Sequence, residues 1–257
     1  MSYLTDNFSL NGRRALVTGA GRGIGRAIAE ALAGAGAEVL VHYNSSKDGA
    51  LETVAAIQKA GGKAFAEQAD LTKSEDVKRF FGVVREHWSG LDILVNNAGD
   101  LVKRSKLADF TDELLEQVLR VNVHTAVYTM REALPLLRLG TNPSIVNLSS
   151  VAAHNGGNNG ATVYGGTKAM IHTMTRGLAK ELAPEIRVNA ISPGVAHTDF
   201  HKRFSTAEGL ANIAQTTPLK RLGQAEDHGA AVVFLCSKGA SFITGEVIEI
   251  NGGLWLA

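Results

Sequence analysis

The chain has 257 residues, with 26 Lys and Arg against 25 Asp and Glu, and a formal net charge of +1. It therefore lacks the basic excess that is typical of nucleic-acid-binding proteins. Its single cysteine, Cys236, excludes an intramolecular disulfide and a cysteine-rich metal site. Residues 1–14 contain no signal-peptide hydrophobic region, and the longest apolar run, 230–236, is too short to cross a bilayer. We therefore expect a cytoplasmic protein with no nucleic-acid or membrane partner.

Short apolar, β-branched runs alternate with helical segments along the chain. The predicted strands are 15–18, 39–41, 93–95, 145–148, 188–191 and 247–250, with a further strand ahead of Asp70. The predicted helices are 24–34, 47–60, 75–86, 114–137, 168–182 and 225–236. This alternation predicts an α/β fold: a single doubly wound, Rossmann-type parallel sheet of about seven strands with helices on both faces. No linker is visible, so residues 1–257 are expected to form one domain.

The first strand leads into a glycine-rich turn, Gly19-Ala-Gly-Arg-Gly-Ile-Gly25. Glycines at a helix N-terminus allow a pyrophosphate to approach the free backbone N–H groups. The spacing departs from the commonest fingerprint, since it places Gly19, Gly23 and Gly25 with Gly21 between them. The turn predicts a dinucleotide site that includes Ile24; a merely tight strand–helix turn is the alternative.

The residues after the second strand bear on the choice of cofactor. The segment His42-Tyr-Asn-Ser-Ser-Lys47 offers no acid to hold a free ribose 2′-hydroxyl. Asn44, Ser45, Ser46 and Lys47, with Arg22 from the glycine turn, could instead surround a 2′-phosphate. We therefore favour NADP(H) over NAD(H). The alternative is an ordinary polar loop with Ser46 as a helix N-cap.

Tyr164 and Lys168 stand four residues apart and so share one helical face. The same spacing occurs at Tyr43 and Lys47, so the pair alone is weak evidence. Only Tyr164 follows a strand that ends in Ser149-Ser150, and chemistry is placed at the carboxyl ends of such strands.

With these motifs the sequence resembles the short-chain dehydrogenase/reductase family over essentially its whole length. The matching motifs, in order, are Thr18-Gly-Ala-Gly-Arg-Gly-Ile-Gly25, Asp70-Leu71, Asn96-Asn-Ala-Gly99, Asn122, Ser150, Tyr164-Gly-Gly-Thr-Lys168, Pro193-Gly194 with Thr198, and Asn251-Gly-Gly253. The length matches the shorter branch of the family, and the sequence is most similar to 3-oxoacyl-[acyl-carrier-protein] reductases and related sugar and polyol dehydrogenases. The enoyl-reductase branch of the family has a longer spacing between its Tyr and Lys than the four residues between Tyr164 and Lys168.

The resemblance implies roles for four catalytic residues. Tyr164 is the general acid for carbonyl reduction or the base for alcohol oxidation, and Lys168 lowers the pKa of its phenol and binds the nicotinamide ribose. Ser150, rather than Ser149, holds the substrate oxygen. Asn122 supports a water that links Lys168 to solvent; the alternative for Asn122 is a satisfied polar residue in a buried helix.

The resemblance also implies cofactor contacts beyond the first turn. Asp70 and Leu71 would bind adenine, although they could form a helix cap ahead of Ser74. Asn97, Ala98 and Gly99 would line the adenine ribose, or could be a strand-ending turn. Pro193, Gly194, Ala196 and Thr198 would meet the nicotinamide carboxamide, while Tyr164 and Lys168 contact its ribose.

The remaining features have simpler interpretations. His197 and His201 have only Asp199 as a further candidate ligand, so no metal is expected. Cys236 is interpreted as a buried apolar filler. Segment 103–106 is interpreted as a solvated loop; it could instead steer an anionic acyl carrier. A small-molecule or acyl-thioester substrate is expected to be enclosed by segments 100–106, 151–163 and 200–217.

By resemblance, helices 114–137 and 162–182 and residues 254–256 form the contacts of a homotetramer. An NAD-linked sugar or polyol dehydrogenase and a catalytically silent NADP(H) sensor remain as alternatives.

Overall fold

The computed structural model describes residues 3–256 and contains one seven-stranded sheet in which every strand pair is parallel. The strands are β1 Arg14–Val17, β2 Glu38–Tyr43, β3 Lys63–Gln68, β4 Ile93–Asn96, β5 Ser144–Leu148, β6 Arg187–Pro193 and β7 Val247–Ile250. Their order is β3-β2-β1-β4-β5-β6-β7. The predicted α/β fold with a single doubly wound sheet is confirmed.

Helices connect the strands and cover both faces of the sheet. They are α1 Tyr3–Phe8, α2 Gly23–Gly34, α3 Lys47–Lys59, α4 Ser74–His87, α5 Asp112–Leu119, α6 Thr125–Leu137, α7 Ala152–Asn155, α8 Thr162–Leu182, α9 Asp199–Phe204, α10 Ala207–Thr216 and α11 Gly229–Cys236. No helix within residues 3–256 is both long enough and apolar enough to traverse a membrane.

Two apolar clusters form the core, one on each face of the sheet. Alternate strand residues face opposite ways, so Leu16 packs with α4, α6 and α8, whereas Val17 packs with α2, α3 and α11. Phe80 and Phe81 dominate the first cluster and are fully buried. Burying each such side chain contributes about 1.5–3 kcal/mol, so these two layers fix the sheet that carries the strand ends. Cys236 is fully buried in the second cluster, as expected of an apolar filler.

The strand order reverses direction at β1, which pairs with β2 on one side and with β4 on the other. Connections from β1 therefore run one way across the sheet and those from β4 run the other way. This leaves a crevice above the carboxyl ends of the strands, where doubly wound folds bind their ligands.

The predicted helix 114–137 is wrong as a continuous α-helix. Residues Arg120–His124 form a π-helical segment between α5 and α6. Such bulges often occur at functional sites, and this one contains Asn122.

Candidate active site

A cavity of about 500 Å³ opens at the carboxyl edge of the sheet. This volume is within the usual range for small-molecule sites. The predicted site residues that line it are Gly19, Gly21, Arg22, Gly23, Ile24, Gly25, Asn44, Ser45, Ser46, Asn97, Ala98, Gly99, Ser150, Tyr164, Lys168, Pro193, Gly194, Ala196 and Thr198. Asn122, Asp70 and Leu71 lie outside its wall.

The glycine turn between β1 and α2 forms one end of the cavity. Gly19 and Gly23 have φ values of 62° and 54°, a left-handed conformation that favours glycine. A Cβ atom added to Gly21 would lie 2.9 Å from the carbonyl oxygen of Ser46, so the turn packs directly against the loop after β2. Arg22 caps α2 without a side-chain hydrogen bond to its first turn. The free N–H groups of that turn suit the pyrophosphate of a dinucleotide.

Side chains behind this turn hold it in place. Thr18 Oγ1 accepts hydrogen bonds from the backbone N–H groups of Asn97 and Ala98, both at 2.9 Å. In return, Asn97 Nδ2 donates to the carbonyl oxygens of Thr18 and Gly19, at 2.8 and 3.0 Å. The Asn97 amide therefore supports the glycine turn, although the residue also lines the cavity.

His42 is a further support that sequence analysis missed. The backbone N–H of Gly19 donates to His42 Nδ1 at 3.1 Å, and His42 Nε2 lies 3.0 Å from the carbonyl oxygen of Ala69. Because a carbonyl only accepts, Nε2 carries the hydrogen. Burial lowers the pKa of His42 to about 4, which keeps this tautomer neutral. The only available signal was a histidine at the end of an apolar strand.

Ser150, Tyr164 and Lys168 meet in the middle of the cavity. The Ser150 side chain is hydrogen-bonded to the Tyr164 hydroxyl. Lys168 Nζ lies 5.8 Å from the centroid of the Tyr164 ring and donates to the carbonyl oxygen of Leu148 at 3.0 Å. Ser149 Oγ donates elsewhere, to the carbonyl oxygen of Lys168 at 3.3 Å. Only Ser150 of the serine pair therefore engages the phenol.

The pKa of Tyr164 shifts upward in this structure, opposite to the net lowering that the resemblance implies. Burial raises the pKa of Tyr164 to about 12, against the opposing hydrogen bond from Ser150. Burial also lowers the pKa of Lys168 to about 8. Desolvation disfavours both charged forms, and the nearby charge that adds to the rise in the Tyr164 pKa is that of Asp100. The phenol is therefore protonated, and able to donate a proton, throughout the physiological pH range.

Asn122 is fully buried within the π-helical segment. Its Nδ2 donates to the carbonyl oxygens of Asp100 and Val118 at 2.7 and 2.9 Å, and its Oδ1 accepts from Asp100 N at 3.1 Å. A Cβ atom added to Gly99 would lie 2.7 Å from Asn122 Oδ1 and 3.2 Å from Lys168 Nζ. Asn122 thus anchors the chain after β4 beside Lys168, while its role in a water relay stays a prediction.

Asp70 and Leu71 form the turn that precedes α4. Asp70 Oδ1 accepts hydrogen bonds from Thr72 N at 3.1 Å and Thr72 Oγ1 at 2.6 Å, and Leu71 packs in the core. Asp70 thus forms a local turn with Thr72 and does not cap α4, whose N-cap residue is Lys73. The contact of Asp70 and Leu71 with adenine stays a prediction.

The segment after β6 closes the cavity above Tyr164. Gly194 packs so tightly that an added Cβ atom would lie 2.7 Å from Asn251 Cα. Thr198 caps α9, in which the Phe200 ring lies 5.9 Å from that of Tyr164. His201 Nδ1 lies 3.2 Å from Ser205 Oγ, and within residues 3–256 no three His, Cys, Asp or Glu side chains are grouped to hold a metal.

Comparisons with known proteins agree with this architecture. A family model described as enoyl-(acyl carrier protein) reductase matches residues 19–255. The 3-oxoacyl-[acyl-carrier-protein] reductase FabG of Aquifex aeolicus is 39% identical, over 96% of this chain and 98% of its own.

Solved structures show the same likeness with different cofactors. The Pseudomonas aeruginosa RhlG/NADP active-site complex is 34% identical with a TM-score of 0.91, covering 98% of this chain and 99% of its own. A 7α-hydroxysteroid dehydrogenase complexed with NADH and 7-oxo glycochenodeoxycholic acid is also 34% identical, with a TM-score of 0.92 and 98% coverage of both chains.

Proposed function

Because the chain belongs to the short-chain dehydrogenase/reductase family of oxidoreductases, we propose that it is an NADP(H)-dependent enzyme that interconverts a ketone and a secondary alcohol. In this proposal residues 1–257 form one domain that both binds the cofactor and carries out the chemistry. The observation that carries it is the Ser150–Tyr164–Lys168 group, which shares one cavity with the glycine turn.

Each group of residues in the cavity has a separate role in the proposed reaction. The free N–H groups at the start of α2 hold the pyrophosphate, and a bound nicotinamide supplies or accepts the hydride. Ser150 donates a hydrogen bond to the substrate oxygen, and Tyr164 transfers the proton to or from that oxygen. Lys168 stabilises negative charge that develops on the phenol oxygen during reduction.

The protonation states favour reduction at neutral pH. Tyr164, with its pKa raised to about 12, starts in the form that donates a proton to a carbonyl oxygen. Oxidation of an alcohol needs the phenolate instead, and burial disfavours that form. The matching family model carries an enoyl-reductase description, but the hydrogen-bonded Ser150–Tyr164 pair is suited to protonating a ketone oxygen. We therefore propose a 3-oxoacyl or other ketone as the substrate class.

A turnover assay with NADPH, NADH and a panel of activated ketones, sugars and polyols tests this function. Ketone reduction with NADPH is the expected result. Faster alcohol oxidation with NAD would favour the sugar or polyol dehydrogenase alternative. Tight cofactor binding without any turnover would favour a silent sensor, which has no use for the complete catalytic group.

The preference for NADP(H) rests on the end of the cavity beside β2. Arg22, Asn44, Ser45 and Ser46 line this end, and no Asp or Glu does so. Within the described chain no carboxylate lies at ion-pair distance from Arg22. The pKa of Asp199 is lowered by its pairing with Lys202 at 2.9 Å and, to a smaller extent, by the charge of Arg22. Because Lys202 is the partner of Asp199, the Arg22 guanidinium is available to a 2′-phosphate. Related structures of the same fold contain NADP or NADH. The preference between the two cofactors must therefore depend on these residues rather than on the fold.

Replacing Arg22 by Ala should narrow the preference for NADPH. Loss of one charge-assisted contact, about 1.5–3 kcal/mol, should raise the KM for NADPH roughly ten- to a hundredfold. The KM for NADH should change little, because NADH lacks the phosphate. Arg26→Ala is the matched control, since Arg26 is engaged with Glu30 at 2.8 Å. Equal use of NADH and NADPH by the unaltered protein would contradict the proposal.

We also propose a homotetramer. Leu115 on α5 and Met170 on α8 are exposed, as are Trp255 and Leu256 near the C-terminus. Exposed apolar side chains on these elements suit contacts between subunits. Light scattering at micromolar concentration should give four times the chain mass, and a monomeric mass would refute the assembly.

A further inference from the structure

Arg104 lies at the substrate end of the cavity rather than in a solvated loop. Its neighbours Lys103 and Lys106 are exposed, but Arg104 is half-buried and lines the cavity. The solvated-loop interpretation of segment 103–106 is therefore wrong for this residue. Three backbone carbonyls hold its guanidinium: Nε donates to Phe204 at 2.7 Å, and Nη1 donates to Asn158 and Asn159 at 2.7 and 3.0 Å.

The charge of Arg104 is not neutralised within the described chain. The acids that line the cavity are Asp100 and Asp199, and each has another cation as partner. Asp100 pairs with Arg203 at 3.1 Å, and Asp199 pairs with Lys202 at 2.9 Å. Among residues 3–256 no carboxylate lies within ion-pair distance of Arg104, and its Nη2 donates to none of them. Carbonyl oxygens orient the guanidinium but leave a net positive charge facing the cavity.

Two aromatic side chains, Phe204 and Phe200, connect Arg104 to the reaction centre, and Phe200 lines the cavity. Phe204, whose carbonyl oxygen binds Arg104, has its ring 5.1 Å from that of Phe200, and Phe200 in turn lies 5.9 Å from the Tyr164 ring. His201 does not compete for an anion, because burial together with the charge of Arg104 lowers its pKa to about 4. The substrate end therefore places the Phe200 ring beside two cations, of which Arg203 is paired with Asp100 and Arg104 has no carboxylate partner in the described chain.

We propose that the substrate is a small ketone, or the matching secondary alcohol, that carries a carboxylate, and that Arg104 binds this carboxylate through Nη2. The inference rests on the proposed function, since it assigns a substrate class to the same site. Nη2 is the guanidinium nitrogen left without an acceptor among the described residues, and its two N–H donors on a single positive charge suit the single negative charge of a carboxylate. The three carbonyls fix the plane of the guanidinium in advance, so little side-chain freedom is lost on binding.

Matched pairs of oxo acids and their methyl esters test the inference on the unaltered enzyme. Acetoacetate and levulinate are each compared with the corresponding ester, at saturating NADPH and again with NADH. The acids should have the higher kcat/KM. Arg104→Gln should lower kcat/KM for the acids roughly ten- to a hundredfold, as expected for losing a hydrogen bond between charged groups, and leave the esters nearly unchanged. Arg104→Lys, which keeps the charge but not the planar guanidinium that the three carbonyls orient, should give intermediate values.

Comparing acids with their esters distinguishes two roles of Arg104, binding of the substrate carboxylate and structural support of the cavity. If Arg104 only tied the cavity walls together, Arg104→Gln would slow acids and esters by the same factor, and the inference would be overturned. Equal kcat/KM for acid and ester in the unaltered enzyme would overturn it as well, while leaving the proposed function intact. Failure to reduce any acid or ester with either cofactor would overturn both. Lys103→Gln, which removes an exposed neighbouring charge outside the cavity, serves as the control and should leave the acid-to-ester ratio unchanged.

Discussion

Tyr164→Phe is expected to lower kcat by about 10²–10⁴ while leaving the affinity for NADPH nearly unchanged, because it removes the proton donor but keeps the ring. The phenol is hydrogen-bonded to Ser150, and its raised pKa keeps the proton in place at neutral pH. The ring packs beside Phe200, a contact that phenylalanine preserves. Steady-state turnover of the best ketone and fluorescence titration with NADPH measure the two effects separately.

Tyr43→Phe is the matched control, because Tyr43 and Lys47 have the same four-residue spacing. Tyr43 ends β2 at the far side of the cavity from Ser150. Its hydroxyl is expected to affect the KM for NADPH at most, with kcat unchanged. Near-normal turnover by Tyr164→Phe would show that another group donates the proton.

The sheet could be predicted because its central strands contain several consecutive apolar residues, as is typical of strands covered on both faces. The strands around Val39, Leu94 and Val146 are buried, and they appear in the sequence as consecutive apolar residues. β3 is the weak case, since this edge strand, Lys63–Gln68, is only half-buried and carries polar residues. Once the strands were ordered, the topology itself brought Gly19, Ser150 and Tyr164 to one edge.

The π-helical segment Arg120–His124 could not be predicted, because the contact that accompanies it joins residues far apart in the sequence. Residues 114–137 have a helical pattern throughout, and nothing in that pattern marks a bulge at Asn122. The side chain of Asn122 bonds both N–H and C=O of Asp100, twenty-two residues earlier. The site of that contact exists only after β4 and the helix have packed together.

Arg104 and His42 were misjudged or missed for a related reason. A lysine-flanked arginine in a loop has the composition of a solvated segment, and only the folded positions of Asn158 and Phe204 make Arg104 part of the cavity. The ionisation of Tyr164 likewise depends on desolvation, which the spacing of Tyr164 and Lys168 does not report. The residue types and their order in the sequence predict which side chains form the site, whereas the protonation states of Tyr164 and Lys168 depend on their burial in the folded protein.

Lys168→Met should lower kcat for reduction by about 10²-fold or more and also weaken NADPH binding, because one ammonium serves both steps. Methionine retains most of the buried volume but supplies no charge and no donor to the carbonyl oxygen of Leu148, which Nζ meets at 3.0 Å. In the unaltered enzyme the rate of reduction should fall as pH rises through about 8, where Lys168 loses its proton. The phenol stays protonated over this range, so the fall reports Lys168 alone.

The pH profile of Lys168→Met distinguishes catalysis from packing. With no lysine to titrate, the variant's low rate should no longer fall near pH 8, whereas a purely structural defect would lower the whole profile and keep its shape. Lys180→Met is the matched control, since Lys180 is exposed in the last turn of the same helix and should change neither kcat nor the profile. If the fall near pH 8 persisted in Lys168→Met, the titrating group would have to be another residue. The ammonium would then have no part in stabilising charge on Tyr164.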